Sequence, residues 1–447
     1  MIRARPARPT RPARRFAARA GLALLALILA ATGVAAQEAP DAALPEGVER
    51  YTKSRSDCFL PGERRDYDKW IAQFRQPLAG CDVGVIAPPR VIQSHRLYKE
   101  RSGWIVDCVG MRQKEFATRF IDTYLGEIVS RAEEAETSPA AATCGANMLR
   151  VWAEADAMTE IGDGGYEGQS ELKISWTFGG LSAAYFIHPK LREAAREIRT
   201  ADGGTADQEI LAWFRKLSGP VSAQIDRERA ENNEDNLQYW RGYAILPTAF
   251  MTGDAELTRQ SRRVFDAALG QVVMGSKDPA DDGWLPYEME RGPRALLYQM
   301  YATTPVLAMA LLSKSEGCGF LAGEEARARL TMMLTRVLEG WSDPTIVSAQ
   351  VARYGRNGKR LRQIRTGTPR RAARLLYLAN QIDPKLYEAV DRNLAAFTGE
   401  PSPVFKPTTG AKAGNDRLGG DYRDIAAAAE RPGPPPAAIA GVCRAKG

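Results

Sequence analysis

From about residue 110 to residue 400, apolar residues recur at helical spacing and almost never alternate. Phe116, Phe120, Tyr124 and Ile128 follow at steps of four, and Leu297, Tyr301, Val306 and Met309 hold a similar face. Such stripes mark amphipathic helices packed on a common core. Helices are expected over 113–134, 145–160, 171–187, 207–228, 236–252, 256–274, 291–313, 323–340, 370–382 and 386–397. Asp163-Gly164-Gly165, Asp202-Gly203-Gly204 and Asp282-Gly283 supply turn chemistry between them. No Pro-rich linker interrupts the run, so residues 111–400 are read as one all-α domain of paired helices. The flanks differ. Residues 37–110 are rich in Pro and Cys, as in an arm pinned by disulfides, and residues 401–447 turn to Pro, Gly and Ala, with a flexible tail expected over 432–440.

Residues 1–36 have the parts of an export signal: an arginine-rich start, an apolar stretch over 21–32, and Val34-Ala35-Ala36 before Gln37. The apolar stretch falls short of the roughly 18 to 20 residues that cross a bilayer, and no later segment reads as long enough. The mature chain is thus expected in the periplasm or outside the cell, with no membrane contact after cleavage. Of 61 basic and 54 acidic residues, seven arginines and no acid lie in the signal, so the remainder is formally neutral. That balance argues against a nucleic-acid partner and leaves polyanion affinity to local clusters. Six cysteines follow the signal, an even number that suits disulfides in an oxidising compartment. They lack paired metal-ligand spacing, and His95 and His188 stand apart, so neither a metal nor another cofactor is implied.

One local cluster stands out. From Arg353 to Arg374 nine residues are basic, among them Arg360 and Arg362, and none is acidic. The run is either the lining of a groove for an acidic polymer or a solvated face.

The segment Gly283-Trp284-Leu285-Pro286-Tyr287-Glu288-Met289-Glu290-Arg291-Gly292-Pro293-Arg294-Ala295-Leu296-Leu297-Tyr298 resembles, without a gap, a motif of the alginate lyases of polysaccharide lyase family five. Asn236-Leu237-Gln238-Tyr239-Trp240, Trp176-Thr177-Phe178-Gly179-Gly180-Leu181 and Leu418-Gly419-Gly420-Asp421 look like three further family segments, in the family's order. The resemblance implies an incomplete (α/α) toroid of paired antiparallel helices with a substrate cleft. It also implies a disulfide from Cys81 in the arm to Cys144 on an early helix; Cys58 with Cys108 is a second pairing that the resemblance does not supply, and the partners of Cys58, Cys108, Cys318 and Cys443 stay open.

The implied activity is β-elimination from a polyuronate of the mannuronan type. The proton on C5 of a uronate is very weakly acidic until the neighbouring carboxylate is neutralised, and an amide with a guanidinium can do that. Asn236 and Arg291 match those family positions. Tyr298 matches the residue that takes the C5 proton and protonates the leaving O4, which requires cations to lower a phenol pKa of about 10. On a helix Arg291, Arg294 and Tyr298 would share one face, so that two cations flank one phenol. On residue chemistry alone, the alternative is a buried tyrosine beside an arginine paired with Glu288 or Glu290. Trp176, Tyr239 and Trp240 are candidate sugar platforms, or else core aromatics. Asp235 and Leu237 depart from the family pattern, which has asparagine and histidine there; reading the segment from Asn232-Asn233 restores the asparagines but not the histidine. The alternatives that follow are a lyase on a glucuronate-containing exopolysaccharide and a non-catalytic periplasmic protein that binds acidic polysaccharide.

Overall fold

Short polar residues set where the helices begin. Asp107, Ser138, Thr205, Asp235, Asp254 and Asp383 each accept a backbone N–H of a first turn on a side-chain oxygen, satisfying donors that the helix itself cannot. In chain order the helices are α1 (Glu63–Ala72), α2 (Cys108–Ala135), α3 (Pro139–Glu154), α4 (Glu167–Ile187), α5 (Pro189–Glu197), α6 (Ala206–Ala230), α7 (Asn236–Thr252), α8 (Ala255–Gly270), α9 (Pro286–Met289), α10 (Ala295–Ser315), α11 (Glu324–Ser342), α12 (Pro344–Tyr354), α13 (Pro369–Ile382), α14 (Pro384–Thr398), α15 (Tyr422–Ala429) and α16 (Ala440–Arg444). The computed structural model describes residues 58–99, 106–162, 167–354, 363, 369–399, 414–430 and 437–444. The signal segment 1–36, the start of the arm, the Asp163–Gly165 turn and the candidate residues Arg360 and Arg362 lie outside them.

Two helices carry the core. α7 is buried over nearly its whole circumference and packs against α4, α6, α8 and α10. α10 packs in turn against α7, α13 and α15. A helix apolar on every side belongs inside a protein. Contrary to the sequence expectation, the stretch Gly292–Ser315 is long and apolar enough to cross a membrane, yet its apolar window is 83% buried against other helices. The remaining sheet structure among the described residues is slight: β1 (Arg75–Gln76) antiparallel to β2 (Val85–Ile86), β3 (Val91–Ile92) parallel to β4 (Glu160–Ile161), and β5 (Gly414–Asn415) antiparallel to β6 (Gly420–Asp421).

Disulfides join Cys58 to Cys108, Cys81 to Cys144 and Cys318 to Cys443. The first two tie the arm to α2 and α3. The third holds the C-terminal end, where Leu418, Ile425 and Ile439 are fully buried; most of the tail expected over 432–440 lies outside the described residues. Gly419, at φ 84°, lies so close to α4 that a Cβ there would stand 2.3 Å from the Ala184 nitrogen. Only glycine allows that approach. Tyr243 fixes the same turn by donating to the Leu418 carbonyl.

Candidate active site

The first turn of α7 and the entry to α10 meet at Glu288, the acid of the short helix α9. Glu288 has no exposure, and its two carboxyl oxygens accept from the backbone N–H and the side-chain Nδ2 of Asn236, each at 2.8 Å. One amide hydrogen of Asn236 is thereby committed, and the side chain is fixed in place. Burial pushes the Glu288 carboxyl up to about 8; Arg291 opposes this and Asp235 adds to it.

Arg291 stands between the two carboxylates. Its terminal nitrogen is 2.5 Å from Asp235 Oδ2, and its Nε is 4.0 Å from Glu288. Burial alone would weaken its basicity, but Asp235 and Glu288 outweigh that and raise it. Asp235 also caps α7 through the Leu237 N–H at 2.9 Å. The residue that departs from the family pattern therefore does two jobs, starting the helix and engaging the guanidinium.

Arg291 and Arg294 do not lie on one continuous helix with Tyr298, as the spacing suggested. Gly292, at φ 57°, and Pro293 turn the chain through a 3₁₀ segment (Gly292–Arg294), and α10 begins only at Ala295. The two cations still reach the phenol by different routes. Arg291 Cζ lies 5.1 Å from the Tyr298 ring centroid. Arg294 instead lies over the ring of Tyr98 and donates to its hydroxyl at 2.8 Å, and that hydroxyl is 3.3 Å from the hydroxyl of Tyr298.

Tyr98 is the site residue that the sequence reading missed. It belongs to the arm, where no periodicity marks it; the one usable signal is the pair of disulfides that must lay the arm against α2 and α3. Arg417 was missed as well. It precedes the glycine turn that packs on α4, and it donates to the Tyr301 hydroxyl while its guanidinium lies 3.9 Å from the Trp176 ring centroid. One face of Trp176 is thus already covered.

Tyr239 and Trp240, candidate sugar platforms by sequence, are core residues at 1% and 3% exposure. Tyr239 spends its hydroxyl on Gln271, and Trp240 donates to the Tyr301 carbonyl. Besides Tyr98, Trp176 and Tyr301 are partly exposed aromatics near the phenol, set edge to face at 6.2 Å, with Tyr301 also 6.5 Å from Tyr298.

The family model for alginate lyase matches residues 128–347, which include Asn236, Glu288, Arg291 and Tyr298. Residues 128–347 are thus similar to the alginate lyase family. A polysaccharide lyase of Stenotrophomonas maltophilia is 29% identical over 249 residues, covering 55% of this chain and 69% of that protein. An alginate lyase of Pseudomonas syringae pv. syringae is 31% identical over 204 residues, covering 45% of this chain and 49% of its own length. The chain thus spans about half the length of the Pseudomonas lyase that it matches. In fold it is similar to alginate lyase A1-III of Sphingomonas species A1, with a TM-score of 0.53 at 17% identity, over 81% of this chain and 94% of that one. A Tyr-to-Phe variant of that lyase, complexed with a tetrasaccharide, matches with a TM-score of 0.52 at 16% identity. The fold of the described residues is accordingly the all-helical α/α toroid that the resemblance implied. Tyr98 and Arg417 lie outside the matched residues, so the arm and the closing turn complete this site from beyond the family segment.

Proposed function

We propose that this protein is an exported lyase that cleaves a polyuronate of the mannuronan type by β-elimination. The observation that carries the reading is the convergence of Asn236, Arg291 and Tyr298 around Glu288 and Tyr98. Asn236 and Arg291 would hold the carboxylate of the bound uronate and stabilise the charge that builds as C5 loses its proton. The C5–H bond breaks toward the Tyr298 oxygen, the electron pair moves to form the C4–C5 double bond, and the C4–O4 bond breaks. The same tyrosine then returns its proton to O4. Tyr98, held by Arg294, orients the phenol.

One tyrosine can serve both steps only where the C5 hydrogen and O4 share a face of the ring, as in mannuronate and glucuronate. Leu237 can neither titrate nor hydrogen-bond, which supports a preference against guluronate. The test is to incubate the purified protein with mannuronan, guluronan and a glucuronan, and to follow the unsaturated ends that elimination creates. Ends from mannuronan, with little from guluronan, are expected. Binding of all three polymers without any new ends would overturn the lyase reading.

A further inference from the structure

In the run of cations from Arg353 to Arg374, between α12 and α13, stands a neutral polar side chain that the fold has drawn inside: Gln363, only 6% exposed. Its amide grips both ends of the turn that leads into α10. Nε2 donates to the Gly292 carbonyl at 3.0 Å, and Oε1 accepts the Leu296 N–H at 3.2 Å. A lysine or an arginine could only donate here, and a carboxylate could only accept. An amide does both.

The turn needs such a clasp. Most long helices of this molecule start on a short polar side chain that caps them, but α10 has Arg294 in that place, and Arg294 makes no capping bond. Its guanidinium is spent on the Tyr98 hydroxyl instead. The Leu296 N–H, a first-turn donor that the helix cannot satisfy, therefore takes its acceptor from a residue 67 positions away. At the other end of the turn Gly292 has φ 57°. A glycine adopts such an angle at little cost and leaves it as easily, so the backbone can pivot there unless something holds it.

The reacting pair hangs on either side of that pivot. Arg291 directly precedes Gly292, Tyr298 follows Leu296 by two residues, and the guanidinium carbon lies 5.1 Å from the centre of the phenol ring. Any swing at Gly292 would carry the cation away from the phenol. We propose that Gln363 is a positioning residue of the elimination: by clasping Gly292 and Leu296 across the turn, it holds Arg291 against Tyr298. The inference rests on the lyase reading and deepens it, since it acts on the geometry of that site and not on the attraction of the polymer.

The test uses two variants of the full chain, with thermal melting to check the fold. Gln363→Met keeps the length and loses both bonds, whereas Gln363→Glu keeps the acceptor for Leu296 and loses the donor to Gly292. Turnover on mannuronan is followed by unsaturated ends. Gln363→Met is expected to lower kcat roughly ten- to thirtyfold with KM within about twofold, and Gln363→Glu to lower it less, because a small misplacement of a reacting group costs rate before it costs binding. A second readout does not need turnover. The Tyr298 phenol is titrated by its absorbance, as the difference between each protein and the same protein carrying Tyr298→Phe. A nearby cation favours the phenolate, so with Arg291 displaced the phenol should ionise at higher pH in Gln363→Met than in the wild type. An unchanged titration, or a kcat within twofold of wild type in both variants, would overturn the proposal. Failure of both variants to fold would overturn it too, by making Gln363 a structural residue. A wild type that yields no unsaturated ends fails the lyase reading instead, and the titration still decides whether Gln363 holds the pair together.

Discussion

Two cationic places flank the aromatic strip of this molecule, and they are wired differently. At the α7–α10 junction, Arg291 is held by Asp235 and lies near Glu288, so its charge is neutralised from within. At the α2–α4 face, Asp122 holds Lys173, while the Lys114 ammonium makes neither a hydrogen bond nor an ion pair among the described residues. A guanidinium locked by internal carboxylates is preorganised but must share its charge with an incoming uronate. An unbalanced lysine group offers charge freely but holds no ligand in a fixed pose. The first arrangement suits a reacting group, where geometry decides the rate; the second offers attraction without that geometry.

The largest effect should come from the phenol. Tyr298→Phe removes the proposed proton carrier and keeps the ring under Arg291, so turnover on mannuronan should fall by at least roughly a thousandfold with binding nearly unchanged. Arg291→Ala should lower kcat by about a hundredfold or more, because a preorganised charge partner is lost at the reacting carboxylate. Rate and affinity measured together would break the comparison if Arg291→Ala changed affinity alone, since the junction would then act by attraction and not by geometry.

Asp235→Asn sharpens the comparison from the other side. The amide keeps the helix cap, because its oxygen can still accept from the Leu237 N–H, but it releases the charge of Arg291. KM for mannuronan should fall several-fold, and affinity should become more sensitive to salt. An unchanged KM at low ionic strength would mean that Asp235 does not compete with the substrate.

The contrast also shows which parts could be read from sequence. The helical body was legible because its apolar stripes are long, and the Asn236, Arg291 and Tyr298 set because it lies in a contiguous motif. What escaped depended on tertiary contact. The short helices α1, α5, α12 and α15 carry too few turns to build a periodic signal. The start of α10 was misplaced because Gly292 and Pro293 divert a chain whose side-chain pattern still reads as helix. Tyr239 and Trp240 read equally well as platform or core, and only packing decides that. Tyr98 and Arg417 come to the site from the two flanks, carried by a disulfide-tied arm and by a turn that fits α4 only because residue 419 is glycine.

The smallest effect concerns Glu288 and is read in stability against pH. Its carboxyl is pushed up to about 8 by burial, against an ordinary value of 4.5. Between these two values the folded state binds a proton that the unfolded state has released, so stability must fall as pH rises through that window. The contribution is fully present below about 4.5 and is lost as pH passes about 8. Glu288→Gln removes the titration and, with it, this part of the slope. The variant also gives up one bond, because an amide nitrogen cannot accept from Asn236; the cost at acidic pH should be about 1 to 3 kcal/mol. Thermal melts across pH 4.5 to 8 should therefore give a lower but flatter curve for the variant than for the wild type. Parallel curves would mean that Glu288 stays ionised throughout, which would leave Arg291 between two full negative charges and make the junction still less open to a third.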